Sequence, residues 1–141
     1  MNRLVVTRGL LETMRAHVDI CAPLEGCGLL AGRDGRVSRV FAIANQAQSP
    51  VKFKMDPVEQ IRAFDWMETN GLELVGIFHS HPSGPETASA TDIAEAAYPV
   101  VQIIWSRPGR PIKGAEETWQ ARAFWIENGQ SANAELQITV G

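Results

Sequence analysis

Apolar residues recur at three- and four-residue spacing after Thr7, with Leu10, Leu11, Met14, Val18 and Cys21 on one stripe. That period predicts a helix over Arg8–Cys21, capped by Thr7 and closed by Pro23. At Cys27 the pattern becomes a near-continuous apolar run to Arg33, as in a buried strand, and the sheet is expected to begin there. Asp34-Gly35 signals a hairpin into a second, alternating strand over 36–44. Asp56-Pro57-Val58-Glu59 supplies a cap, a proline at the first helical position and a capping-box glutamate, so a second helix should run to about residue 70, with Gly71 ending it. Residues 72–79, rich in Leu, Val, Ile and Phe, read as a central strand. After a Pro/Ser/Gly turn, Ser89 starts a short helix that Pro99 stops, and 100–105 form another buried strand. Residues 107–118 hold two prolines and two glycines and read as a flexible loop. The runs 119–126 and 134–140 are expected to pair as a hairpin across Asn128-Gly129. Helices alternating with strands point to an α/β or α+β sandwich, one mixed sheet with helices on its faces.

Composition narrows the function. At 141 residues, with 45% hydrophobic and 21% charged residues, the chain is expected to be a single domain, 1–141, with an ordinary core. A formal charge of -3 is no footprint for a nucleic-acid or anionic-membrane binder, so a discrete site must carry the function. No apolar run approaches the roughly 20 residues that span a bilayer. The first fifteen residues are too often interrupted by charge for a signal peptide, and a cytoplasmic location is expected. Cys21 and Cys27 are too few for a disulfide scaffold and lack the second pair of a structural zinc site, so both are taken as reduced.

The chemistry concentrates at His79-Ser80-His81. Residues i and i+2 of an extended chain project to one side, so the two imidazoles can converge on a single ion. The same H-x-H also arises as two exposed or hydrogen-bonded histidines. Seven residues separate His81 from Ser89, and two separate Ser89 from Asp92, which places a hydroxyl and a carboxylate on a helix's first turn. Asp92 can return as a third ligand, although S-x-x-D is equally close to a capping box, and the two roles can coexist. Two histidines and one carboxylate on zinc leave a fourth position for water, the pattern of a catalytic site. Hydrolysis then needs a nearby base. Glu25 is the best candidate because it precedes an apolar strand expected to lie beside the histidine strand, although many glutamates simply begin a strand at the surface.

Glu25, His79-Ser80-His81, Ser89 and Asp92, at this spacing, resemble the JAMM motif of the JAB1/MPN/Mov34 metalloproteases. The segments EGCGLLAG, FKMDPVEQIRAF and GLELVGIFHSHPSGPETASATDIAEAAYP extend the similarity to the small prokaryotic branch, over most of the chain. The resemblance implies a cytidine deaminase-like fold, with a curved mixed sheet between helices, and hydrolysis of a peptide or isopeptide bond. It implies His79, His81 and Asp92 as zinc ligands, Glu25 as general acid/base, and Ser89 as the group that stabilises the oxyanion or positions the water. The H-x-E and P-C-x-x-C signatures of the zinc deaminases themselves are absent.

Prokaryotic relatives of this kind imply a ubiquitin-like or sulfur-carrier protein as partner, its Gly-Gly tail threaded through a groove and cut from a lysine isopeptide or a C-terminal cysteine adduct. The competing class is a non-catalytic module that binds such a partner. Exposed sheet edges leave a homodimer open. His17 could approach the site but is read as a packed or surface histidine, Cys27 could sit near it but is read as a small buried strand residue, Trp66, Trp105, Trp119 and Trp125 are read as core or edge packing, and Arg33, Arg36, Arg39, Lys52 and Lys54 as a solvated basic face able to guide an acidic carrier.

Overall fold

The computed structural model describes residues 2–107 and 119–141. Its elements are β1 (Arg3–Thr7), α1 (Arg8–Cys21), β2 (Cys27–Arg33), β3 (Arg36–Ile43), α2 (Pro57–Thr69), β4 (Glu73–His81), α3 (Ala90–Ala94), β5 (Val101–Ser106), β6 (Gln120–Glu127), β7 (Gln130–Asn133) and β8 (Glu135–Thr139). All the strands join one sheet in the order β7-β6-β5-β4-β2-β3-β1-β8. β4 runs parallel to β5, and β1 parallel to β3 and β8, while the other pairs are antiparallel. The Ala134 N–H donates to the Ala123 carbonyl at 3.0 Å, drawing the chain between β7 and β8 onto β6 and curving the sheet toward closure. Among the described residues no helix is long and apolar enough to cross a membrane.

Local signals explain the elements that position the site. The Thr7 hydroxyl accepts the Leu10 N–H, and α1 spans the expected residues. Asp34 and Gly35 both adopt positive φ, 51° and 72°, as a tight two-residue hairpin demands. The Asp56 carboxylate caps α2 by accepting from Val58 and Glu59. Glu59 does not close a capping box: the Asp56 N–H goes to the Ala44 carbonyl, and Glu59 accepts from the Ala44 N–H instead. Gly71, at φ 64°, ends α2 as expected.

Three further expectations need correction. The sheet begins at β1, not at Cys27. Leu4, Val5 and Val6 are buried there, but five residues running straight into a helix give the alternation too little length to register. The Asn128-Gly129 turn joins β6 to β7, whose sequence QSAN is wholly exposed and has no apolar pattern, whereas β8 pairs in parallel with β1. The short helix ends at Ala94, five residues before Pro99. The loop expected over 107–118 lies, beyond Arg107, outside the described residues.

Each sheet face buries its own core. Leu4, Val6, Leu30, Phe78 and Ile103 pack with Met14 and Val18 of α1. Leu29, Ala31 and Ile77 pack with Ala63 and Met67 of α2. Along β4, Phe78 faces α1, so strand alternation turns Ile77, His79 and His81 to the opposite face.

Candidate active site

β4 continues two residues past the expected end and holds both histidines in extended backbone, fully buried at 0% and 4% exposure. Ser80, between them, points the other way. Its hydroxyl accepts the Gly26 N–H at 2.8 Å, and its N–H donates to the Gly26 carbonyl at 3.0 Å. With the register Cys27↔His79, this two-way clamp brings Glu25 beside the histidine strand. From the far side the Glu25 N–H donates to the Ser49 carbonyl, and the Asn45 side chain donates to the Glu25 carbonyl at 3.0 Å. A Cβ on Gly26 would meet the Val18 Cα at 3.2 Å, so glycine lets this segment lie close to α1 without displacing it.

Three atoms converge. The His79 and His81 Nε2 atoms are 3.1 Å apart, and Asp92 Oδ2 lies 3.2 Å and 3.0 Å from them. The His81 Nδ1–H donates to the Pro85 carbonyl at 2.8 Å, which leaves the Nε2 lone pair of the neutral ring aimed inward. Three lone-pair atoms facing each other in a buried site repel unless a proton or a cation lies between them. Their spacing is close to the roughly 3.3 Å between ligands of a tetrahedral ion bound at about 2.0 Å. Glu25 also belongs here: one carboxylate oxygen lies within 4.8 Å of a nitrogen of each histidine. Both carboxylates thus border a candidate metal site, Asp92 at contact distance and Glu25 further out. Glu25 Oε1 is buried and has no hydrogen-bond partner among the described residues.

The electrostatics separate the two carboxylates. Burial alone would raise the Asp92 carboxyl, but its hydrogen bonds with His79 and His81 outweigh this and hold it well below the usual range. Glu25 has burial and no such partner, and is pushed up to about 7, with Asp92 adding repulsion and His81 partly offsetting it. Burial lowers His79, whereas for His81 the burial effect is outweighed by Asp92 and the Pro85 carbonyl, and the ring is raised. One carboxylate is fixed as an anion and the other sits where it can take or give a proton near neutrality.

The capping reading of S-x-x-D holds, and the capped carboxylate also faces the histidines. Ser89 Oγ accepts the Asp92 N–H at 3.0 Å, and the Ser89 N–H donates to the same Asp92 Oδ2 that faces the histidines. The capping box therefore aims the carboxylate. Ser89 Oγ accepts but keeps its own proton free to donate.

Sequence reasoning missed the group that fixes His79. The Phe53 ring stacks on the imidazole, centroids 4.5 Å apart at 27°, and His79 Nδ1 has no hydrogen-bond partner among the described residues. Asn45 accepts from Ala47 and Lys54 and donates to the Lys52 carbonyl, ordering the loop that delivers Phe53. His17 is not in the cluster and packs edge-on to Phe78, centroids 6.1 Å apart. Cys27 is a buried strand residue whose thiol donates to the Ile43 carbonyl. All four tryptophans pack: Trp105 and Trp119 are buried, and Trp66 and Trp125 are half-buried. Arg39 is tied down, its guanidinium 4.2 Å over Trp66 and 4.6 Å over Phe41.

A curved mixed sheet with helices on both faces, and a buried His-x-His beside two carboxylates, defines a JAB1/MPN-type domain. Residues 7–127 match the family described as prokaryotic homologs of the JAB domain, and the chain belongs to it. It is 41% identical over 128 residues to a probable TtuB-protein conjugate cleaving protease of Thermus thermophilus, covering 90% of this chain and 78% of that one. It is 35% identical over 103 residues to the CysO-cysteine peptidase of Mycobacterium tuberculosis, covering 72% and 70%. A solution structure of a Desulfitobacterium hafniense protein superposes with TM-score 0.83 at 34% identity over 98% of this chain and 94% of that one.

Proposed function

We propose that the chain is a zinc-dependent JAB-type metalloprotease that hydrolyses the bond after the C-terminus of a ubiquitin-like or sulfur-carrier protein. The observation that carries this is the convergence of His79, His81 and Asp92 on one point, with Glu25 Oε1, buried and without a partner among the described residues, beside it. His79, His81 and Asp92 are the residues that would hold zinc. The chemistry zinc supplies there is Lewis acidity toward the scissile carbonyl and a lowered pKa for water.

The remaining work falls to the chain. Glu25 takes the proton of the attacking water and returns it to the departing nitrogen, a role that suits a buried carboxylate bordering the histidines. Ser89 Oγ–H donates to the carbonyl oxygen as negative charge develops there. Asp92, held as an anion, keeps both Nε2 atoms oriented. Phe53 and the Pro85 carbonyl fix the two rings from behind. In this reading the protein works in the cytoplasm on a carrier tail. The names of the relatives, one for a protein conjugate and one for a cysteine adduct, support both leaving groups equally.

A pair of variants tests this. Glu25→Gln should bind zinc stoichiometrically and lose about 10²- to 10⁴-fold in turnover. Asp92→Ala should lose the metal and the activity together. A Glu25→Gln enzyme with unchanged turnover, or an Asp92→Ala protein that keeps stoichiometric zinc, would remove that residue from its role.

A further inference from the structure

Residues 44–56, between β3 and α2, form a strap with one part on Glu25 and another on His79. The Ser49 carbonyl accepts the Glu25 N–H at 2.8 Å, and the Phe53 ring stacks on the His79 imidazole. One side chain ties these two parts together. Asn45 Nδ2 donates to the Glu25 carbonyl at 3.0 Å and to the Lys52 carbonyl at 3.1 Å, while Oδ1 accepts from the Ala47 N–H at 3.0 Å and from the Lys54 N–H at 2.9 Å. A side-chain amide offers two donor and two acceptor positions, and here all four are used. Lys52 and Lys54 flank Phe53, so two of the four bonds fix the backbone on either side of the ring. The Gln46 N–H, donating to the Lys54 carbonyl at 2.7 Å, and the Asn45↔Met55 bridge reinforce that link.

The groups held by this strap are short of bonds of their own. His79 Nδ1 and Glu25 Oε1 are buried and have no hydrogen-bond partner among the described residues. A metal-binding histidine is ordinarily oriented by the bond its second nitrogen makes, as His81 is by the Pro85 carbonyl. On His79 the stacked Phe53 ring takes over that task.

We propose that Asn45 is a positioning residue for both parts of the chemistry: it sets the Glu25 backbone directly and the His79 ring through Phe53, so that one side chain fixes the base relative to a metal ligand. The inference rests on the proposed protease reading. Asn45 acts through Glu25 and Phe53 rather than on the substrate, and its near-isosteres cannot replace it. Glutamine carries the same amide one methylene further out. Aspartate keeps both acceptor bonds, including the one beside Phe53, but turns a carboxylate toward the Glu25 and Lys52 carbonyls.

The test compares wild type with Asn45→Ala, Asn45→Asp, Phe53→Leu and the Asn45→Ala/Phe53→Leu pair. Zinc affinity is read by competition with a chromophoric chelator, and kcat and KM at saturating zinc on a sulfur-carrier protein extended by a C-terminal cysteine. Asn45→Ala should bind zinc about tenfold more weakly and lose about 10- to 100-fold in kcat, with KM within about threefold. Asn45→Asp should hold zinc within about threefold of wild type yet lose kcat as far as Asn45→Ala does. A general loosening of the loop would not produce that split. Phe53→Leu should weaken zinc about tenfold, and adding Asn45→Ala should weaken it little further, because both changes release the same ring. Wild-type zinc affinity and kcat in Asn45→Ala, zinc losses that add in the double variant, or equal losses of zinc and kcat in the alanine and aspartate variants would overturn the proposal. Zinc affinities in the expected order, with no cleavage of the carrier by wild type, would count against the protease reading and leave the positioning of His79 by Asn45 standing.

Discussion

Replacing Glu25 by Gln should stabilise the metal-free protein, and the gain should depend on pH in a way that reports the buried carboxyl. Glu25 is 3% exposed, has one oxygen without a partner among the described residues, and is raised by burial from 4.5 to about 7. A group whose folded pKa lies above its unfolded value favours the protonated folded state. Its contribution is present in full below about pH 4.5 and disappears as pH rises through about 7. A shift of about 2.5 units at 1.36 kcal/mol each makes that about 3 kcal/mol lost by pH 8. The glutamine of the variant does not titrate, so the stability difference between variant and wild type should grow by about 3 kcal/mol between pH 4.5 and 8. In a chain of this size that is about 8–10 °C in Tm. Urea unfolding of chelator-treated protein at pH 4.5, 6, 7 and 8 measures it, other carboxylates cancelling in the difference. Saturating zinc, whose charge favours the ionised carboxylate, should narrow the gap. A difference that stays constant with pH would mean that Glu25 is hydrated or paired, and the acid–base reasoning would fail.

His81→Ala should lose the metal as Asp92→Ala does, and equilibrium dialysis against zinc would show it; full retention would mean that the ion, if bound, sits elsewhere. Ser80→Ala should cost about 1–3 kcal/mol, because the buried Gly26 N–H loses its 2.8 Å acceptor, and should lower kcat by loosening Glu25. Urea melts with steady-state kinetics check both effects, and a neutral substitution would show the clamp to be dispensable. Cys27 is buried and its thiol is pushed up to about 12, first by burial and then by Cys21 and the nearby carboxylates, so iodoacetamide at pH 8 should leave it unmodified in the native protein. Mass spectrometry that found Cys27 alkylated without loss of fold would contradict this. Phe78→Ala, at a ring with 0% exposure between the sheet and α1, should destabilise by about 3–5 kcal/mol in thermal or urea melts.

Where the sequence carried a long apolar period or a strong cap, the elements were legible. Thr7 and the stripe from Leu10 to Cys21 placed α1, and Asp56-Pro57 with Gly71 placed α2. The H-x-H spacing gave the shared face of His79 and His81 because strand geometry alone dictates it. β7 was not legible, since four exposed polar residues pair only because the Asn128-Gly129 turn folds them back. The β1–β8 pairing joins the two ends of the chain, a contact that no local pattern encodes. In the site, Glu25 came partly from the expectation that its strand would lie beside the histidine strand, and β2 does pair with β4 there. Phe53 and Asn45 were missed because their roles depend on what the fold sets opposite them. An aromatic in a polar loop bears no mark of a histidine stacked on it.

Metal-dependent hydrolysis at His79, His81, Asp92 and Glu25 meets its sharpest test in elemental analysis of the purified protein, together with cleavage of a sulfur-carrier protein extended by a C-terminal cysteine, with and without chelator. The expected result is one zinc per chain, release of the cysteine, loss of activity on chelation and its return with added zinc. Folded protein without zinc, or cleavage indifferent to chelator, would refute that chemistry.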